Sequence, residues 1–197
     1  MGEMIRMVVV LTVLSVVSGG GLSWVKNFAG PKIENQEMNL VKGPAIREIL
    51  KDSEKDPVEN RFKIQDGDTE RNIFVGVFNG KADTVVLESS ANGYAGKVGM
   101  AVAIDMDSDT IYGISVTTHQ ETPGFGAKAK EDPTFGAQFA GKSISTDFQV
   151  SQDGGNISAL SGATITSRAV CASVNSATAA YKELKPQLAE HIKGMGN

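Results

Sequence analysis

Residues 7–25 run without a charged side chain, between Arg6 and Lys26. As a helix this run would span roughly 28 Å, close to the hydrocarbon thickness of a bilayer. Two readings fit it. In the first it is a retained single-pass anchor, with Trp24 at the end where an amphipathic ring suits the interface. Ser15, Gly19 and Ser23 recur every fourth residue, a small-residue stripe that lets a partner helix approach closely in lipid. In the second it is a cleaved signal peptide: Arg6, an apolar core to Val17, then Ser18-Gly19-Gly20. The consecutive Gly19, Gly20 and Gly21 weaken a helix and favour that rival. The anchor, residues 1–26, is the expectation, with a slight charge bias toward a cytoplasmic start.

The remainder of the 197 residues suits one domain, and 41% apolar content is enough for a packed core. A net charge of −4, with no basic stripe, argues against a nucleic-acid partner. One cysteine, Cys171, permits neither an internal disulfide nor a cysteine-ligated iron–sulfur cluster within the chain. It lies in an Ala-rich helical stretch and reads as a buried, inert thiol. His119 and His191 stand far apart, so no metal site is expected.

Residues 27–43 read as a polar connector containing Gly30-Pro31, and residues 44–197 as the domain. Pro44 opens a short helix with Ile46, Ile49 and Leu50 on one face. Ile73, Val75 and Val77 then alternate with Phe74, Gly76 and Phe78, a strand closed by Asn79-Gly80. Residues 85–87 form a second strand, and Tyr94 is assigned to a third. Residues 100–106 and 111–117 pair as a hairpin through Asp107-Ser108-Asp109. The acidic Asp105, Asp107 and Asp109 lack the glycine and distal glutamate of a calcium loop and read as a solvated turn. Asp132-Pro133 caps and opens a helix that carries Phe135 and Phe139 and closes at Gly141-Lys142. Phe148 to Val150 is read as a short strand. Val170, Val174, Tyr181 and Leu184 mark the buried face of a last helix, which Pro186 is expected to stop near Lys185. The polar tail to Asn197 is expected to fray. The fold class is α+β, antiparallel strands with packed helices behind an N-terminal transmembrane helix.

Two stretches carry chemistry. Ser161-Gly162-Ala163-Thr164-Ile165-Thr166-Ser167 sits where the last helix starts. A helix start offers unpaired N–H groups and the positive end of the dipole, a natural place for a phosphate. Gly162 and Ala163 let the backbone approach closely. The alternative is that Thr164 or Thr166 merely caps the helix. The second stretch, His119-Gln120-Glu121-Thr122-Pro123-Gly124-Phe125-Gly126, ends a strand with a polar loop. As a Pro-Gly turn it would simply expose His119 and Glu121.

The first string resembles the flavinylation motif of FMN-binding domains in two membrane complexes. These domains belong to the G subunit of the Rnf electron-transport complex and the C subunit of the sodium-pumping NADH:quinone oxidoreductase. The second string resembles that family's H-x-E-T-P-G-x-G loop, with Phe125 where leucine is usual. Ser158 stands where the family usually has aspartate, with Asp153 nearby. The resemblance implies FMN held covalently by a phosphoester to Thr166, within a cradle of Ser161, Gly162, Ala163 and Thr164. It places His119, Glu121, Thr122, Gly124, Gly126 and Lys128 about the flavin. It implies a redox subunit, incomplete alone, of an ion-translocating ferredoxin:NAD oxidoreductase. Its partners would be the lipid bilayer and the other subunits of that complex, integral membrane subunits among them. The anchor would lie in the cytoplasmic (inner) membrane, with the C-terminal domain on the outer, periplasmic or extracellular, face. The Rnf G subunit fits better than its sister because the chain is short and lacks the insertions expected there. A colourless tethering or assembly subunit is the alternative of another class.

Overall fold

The computed structural model describes residues 2–67 and 69–193. The expected frayed tail beyond residue 193 lies outside them. The chain divides into two compact units, one ending at Leu40 and the other beginning at Val41.

The first unit holds helix α1 (Gly2–Glu37). Its Leu, Val and Ile side chains are exposed on every side, Leu22 at 73% and Val17 at 67%. The helix is long and apolar enough to cross a bilayer. Gly30 and Pro31 lie within it, so this part of the expected connector is itself helical. A π-turn (Met38–Lys42) leads to helix α2 (Gly43–Ile49), with Pro44 in its first turn as the sequence predicts.

The second unit is built on a five-stranded antiparallel meander in the order β1-β2-β3-β4-β5. The strands are β1 (Arg61–Asp66), β2 (Thr69–Phe78), β3 (Lys81–Asn92), β4 (Lys97–Asp105) and β5 (Thr110–Thr118). Register places Ile73 beside Leu87, Leu87 beside Val102 and Val102 beside Ile114. That apolar row faces the last helix, α5 (Thr164–Ile192), which packs on β3 and β4. Phe74, Val86, Ala101 and Ala103 are also fully buried, although neighbouring strand residues alternate between faces. Helix α2 supplies cover on this side, packing on β5 and β4. Both sheet faces are therefore closed, which explains why β2 reads apolar at consecutive positions.

Between β5 and α5 lie two short helices, α3 (Lys128–Glu131) and α4 (Pro133–Ala137). Asp132 caps α4 as expected, accepting from the Thr134 N–H at 2.9 Å. Phe135 and Phe139 meet edge to face at 6.0 Å inside the core.

Several expectations need correction. Strand β1 has no counterpart among the expected elements. Tyr94 belongs to the turn between β3 and β4, not to a strand. Residues 148–150 contribute only an isolated bridge from Val150 to Ile157. Pro186 does not end α5, which continues to Ile192. Proline removes one N–H from the helix ladder, but Leu188 and Ile192 beyond it are buried in the core, and their packing holds the last turns.

Candidate functional site

At the start of α5 the chain turns through Ser161 and Gly162 into Ala163, whose φ of −136° and ψ of 43° end the approach segment. No side chain caps this terminus, so the simple capping role for Thr164 or Thr166 is not what the helix uses. Instead Ser167, fully buried, reaches backward. Its hydroxyl accepts from the Leu160 N–H and donates to the Ala163 carbonyl, each at 3.0 Å. This clip fixes the turn and leaves the N–H groups of Thr164, Ile165 and Thr166 in the first helical turn, where no intrahelical carbonyl can reach them.

The loop after β5 packs onto that turn. Glu121 is only 5% exposed, and one carboxylate oxygen accepts from the Ala95 N–H at 2.9 Å. Its other oxygen accepts a short hydrogen bond from the Thr166 hydroxyl. Burial pushes the Glu121 carboxyl up, but the Thr166 hydroxyl and the N–H groups of Ala95, Tyr94 and Gly96 outweigh it and hold the group below the ordinary carboxylate range. Glu121 is thus an ionised carboxylate with neutral donors around it.

Glycine is required at two places here. A Cβ on Gly126 would lie 2.6 Å from a Glu121 carboxylate oxygen and 2.8 Å from the Thr166 hydroxyl oxygen. Gly162 has a φ of +75°, and a Cβ there would lie 2.9 Å from the Phe125 ring. The loop and the helix terminus therefore approach as closely as backbone allows.

Between them opens a cleft of about 500 Å³, lined by Tyr94, Glu121, Thr122, Phe125, Gly126 and residues 162–166. Of the expected site residues, the cleft brings together Glu121, Thr122, Gly126, Gly162, Ala163, Thr164 and Thr166. Ser161, His119, Gly124 and Lys128 are not among its lining residues. The His119 ring nitrogen Nδ1 is buried without a hydrogen-bond partner among the described residues. Asp153 does not enter the cleft either. It pairs with Arg168 through two bonds of 2.6 and 2.7 Å. Ser158, at the position of the usual aspartate, is held through its backbone by the Gln138 amide.

Tyr94 and Phe125 are lining residues that sequence reasoning missed. Both are exposed aromatics, at 72% and 55%, flanking the opening. The signal for Tyr94 is an aromatic between Gly93 and Gly96 at a hairpin tip.

The arrangement suits a flat, largely apolar ligand with an anionic tail. Two exposed aromatic residues line the cleft, first-turn helix N–H groups can receive a phosphate, and the volume is that of a small-molecule site. A hydroxyl hydrogen-bonded to a carboxylate lies at the same place. FMN has this shape and charge, and the residues present fit it.

Residues 93–179 match the model of a family described as FMN-binding domain. The chain is 31% identical over 179 residues to the G subunit of the ion-translocating oxidoreductase complex of Methanosarcina acetivorans, covering 89% of this chain and 93% of that protein. It is 28% identical over 188 residues to the protein of the same description in Pseudomonas aeruginosa, covering 89% and 87%. Among solved structures, the C subunit of the Na(+)-translocating NADH-quinone reductase from Parabacteroides distasonis shares the fold. The TM-score is 0.57 at 22% identity, over 76% of this chain and 92% of that one. With a cleft whose chemistry suits FMN and a relative aligned along nearly its whole length, the chain belongs to the G subunit family of the Rnf ion-translocating oxidoreductase complex.

Proposed function

We propose that this chain is the flavin-carrying relay of a membrane-bound ion-translocating ferredoxin:NAD oxidoreductase, with FMN joined to Thr166 by a phosphoester. The observation that carries the reading is the position of the Thr166 hydroxyl, in the cleft, beside free helix N–H groups and against Glu121. Thr164 lines the same cleft but makes no comparable contact with a carboxylate among the described residues, which supports Thr166 as the attachment point. Bound FMN would supply reversible electron transfer. The protein's part is to hold and tune it. The first-turn N–H groups and helix dipole would stabilise the phosphate anion. Tyr94 and Phe125 would flank the ring system, and Gly126 and Gly162 would give it room.

Residues 1–26 are proposed as the anchor, 27–43 as the connector and 44–197 as the FMN-binding domain. The domain is placed on the outer face of the inner membrane, alongside the other subunits of the complex. A covalent link suits that location, because a carrier that lost its flavin there could not readily replace it. The chain passes electrons and completes no reaction alone.

Thr166→Val tests the reading. Valine is nearly isosteric but has no nucleophilic oxygen. The variant should fold and enter membranes, yet lose flavin fluorescence on denaturing gels and the added mass of FMN less one water. Wild-type protein should carry that mass on the peptide holding Thr166. A colourless wild-type protein would point to the tethering role instead, and a fully labelled Thr166→Val would move the attachment elsewhere.

A further inference from the structure

We propose that Glu121 is a catalytic residue for the chain's own modification, the base that takes the proton from the Thr166 hydroxyl as the phosphoester forms. This rests on Thr166 being the attachment point. The contact that carries it is direct: the hydroxyl of a nearly fully buried threonine donates to a nearly fully buried carboxylate 45 residues away. Nothing in the packing of α5 requires that pair, since the helix is clipped by Ser167 and capped by no side chain. Gly126 stands where any Cβ would press on both oxygens, so the loop is shaped to leave the pair undisturbed. Glu121 is in turn fixed from behind by the Ala95 N–H, which aims its second oxygen at Thr166. Its hydrogen-bond partners among the described residues are neutral donors, from the β3–β4 turn and from α5.

The step balances as a phosphoryl transfer. The donor is an FMN whose phosphate is in anhydride linkage to a second phosphate, the class to which flavin dinucleotides belong. The Thr166 oxygen forms a bond to the flavin-side phosphorus, and the anhydride P–O bond breaks. The nucleoside monophosphate leaves with the electron pair of that bond. The hydroxyl proton passes to Glu121 and from there to solvent or the leaving phosphate. No electron is gained or lost. The hydroxyl becomes more acidic as its oxygen bonds to phosphorus, so a carboxylate already hydrogen-bonded to it can accept the proton in the transition state. The free N–H groups at the start of α5 lie where the transferred phosphate's charge would settle.

The test is the rate at which the full-length protein gains the mass of FMN less one water when incubated with a flavin transferase and flavin dinucleotide. Glu121→Gln should slow labelling by about 10²–10⁴-fold, the usual worth of a positioned base. Its residual rate should rise tenfold per pH unit as hydroxide takes over, while the wild-type rate stays flat above the carboxylate's pKa. Glu121→Asp, one methylene shorter, should recover part of the rate. Labelling of folded Glu121→Gln at the wild-type rate would overturn the proposal and leave Thr166 as the attachment point. Wild-type protein that gains no mass on Thr166 would instead overturn the reading on which this one rests. Should Glu121→Gln fail to fold, folded Glu121→Asp decides, compared with wild-type protein under the same transferase. A slowed rate in folded Glu121→Asp supports the base, and labelling at the wild-type rate overturns it.

Discussion

The molecule has two long helices, and they are stabilised by opposite means. α5, 29 residues, buries Val170, Val174, Tyr181, Leu184, Leu188 and Ile192 along one side. Its apolar stripe answers the sheet beneath it, as amphipathic periodicity demands. α1, 36 residues, has no such stripe. Leu11, Leu14, Val17, Leu22 and Trp24 point outward around it, each more than half exposed. Each large aliphatic side chain left in water forgoes roughly 1.5–3 kcal/mol. A helix apolar all round is completed by its surroundings, lipid or partner helices, and one with a stripe is completed by its own chain.

The same charge placed in each helix should break different things. Val174→Asp puts an unpaired carboxylate into a fully buried site and should cost about 3–5 kcal/mol, a large share of a domain's usual stability, read as a lowered midpoint in denaturant unfolding. Leu14→Asp should leave the domain's melting temperature unchanged. It should release protein from membranes on a carbonate wash, since aspartate at a helix centre costs about 2.5–3.5 kcal/mol in lipid. A Val174→Asp domain of wild-type stability would deny α5 its place as the core helix.

A smaller effect sharpens where α5 ends. Leu188 is fully buried beyond Pro186, so Leu188→Ala should cost about 2–5 kcal/mol in denaturant unfolding. A loss under about 1 kcal/mol, well below the usual cost of emptying a core site, would mean that the helix effectively stops near Lys185, as the proline alone suggests.

The smallest effect concerns the clamp between α5 and the β4–β5 turn. Asp109 accepts from Lys185 at 2.6 Å and from the Tyr181 hydroxyl at 2.9 Å. Lys185 above all, helped by Tyr181 and opposed by burial, holds its carboxyl below the ordinary range. A depressed folded-state pKa gives stability that is present above the unfolded value and lost as pH falls through the folded one. The wild type should therefore lose this contribution only on acidification below about pH 4. Asp109→Asn keeps the left-handed backbone that the position needs, at a φ of 53°. It should cost about 0.5–1 kcal/mol at neutral pH, the clamp being partly exposed, and should flatten the acid limb of the melting profile.

Where the sequence is self-contained, it is legible. The hairpin of β4 and β5, the Asp132 cap and the buried face of α5 each follow from neighbours in the chain. Both motif strings are contiguous, and most of their residues do meet in one cleft. What escapes reading depends on distant packing. β1 offers only Phe62 and Ile64 among polar neighbours, too few to signal a strand until β2 pairs with it. Pro186 is a local stop overruled by the burial of Leu188 and Ile192. Tyr94 reaches the cleft only because the β3–β4 turn folds against Glu121. The Glu121–Thr166 contact joins two strings that nothing in either one connects.

The strand order has a consequence in time. Every strand of the sheet pairs with its neighbour in sequence, so the meander is assembled from local hairpins, the kind of contact that forms quickly. The cleft is not local, because Thr166 reaches Glu121 only once the entire meander is in place and α5 has docked across it. The Thr166 hydroxyl is thus among the last features of the domain to take its native position. On the proposed attachment at Thr166, a chain that stalls during folding would lack the Glu121–Thr166 pair, and the phosphoester would serve as a permanent record that the domain had finished folding.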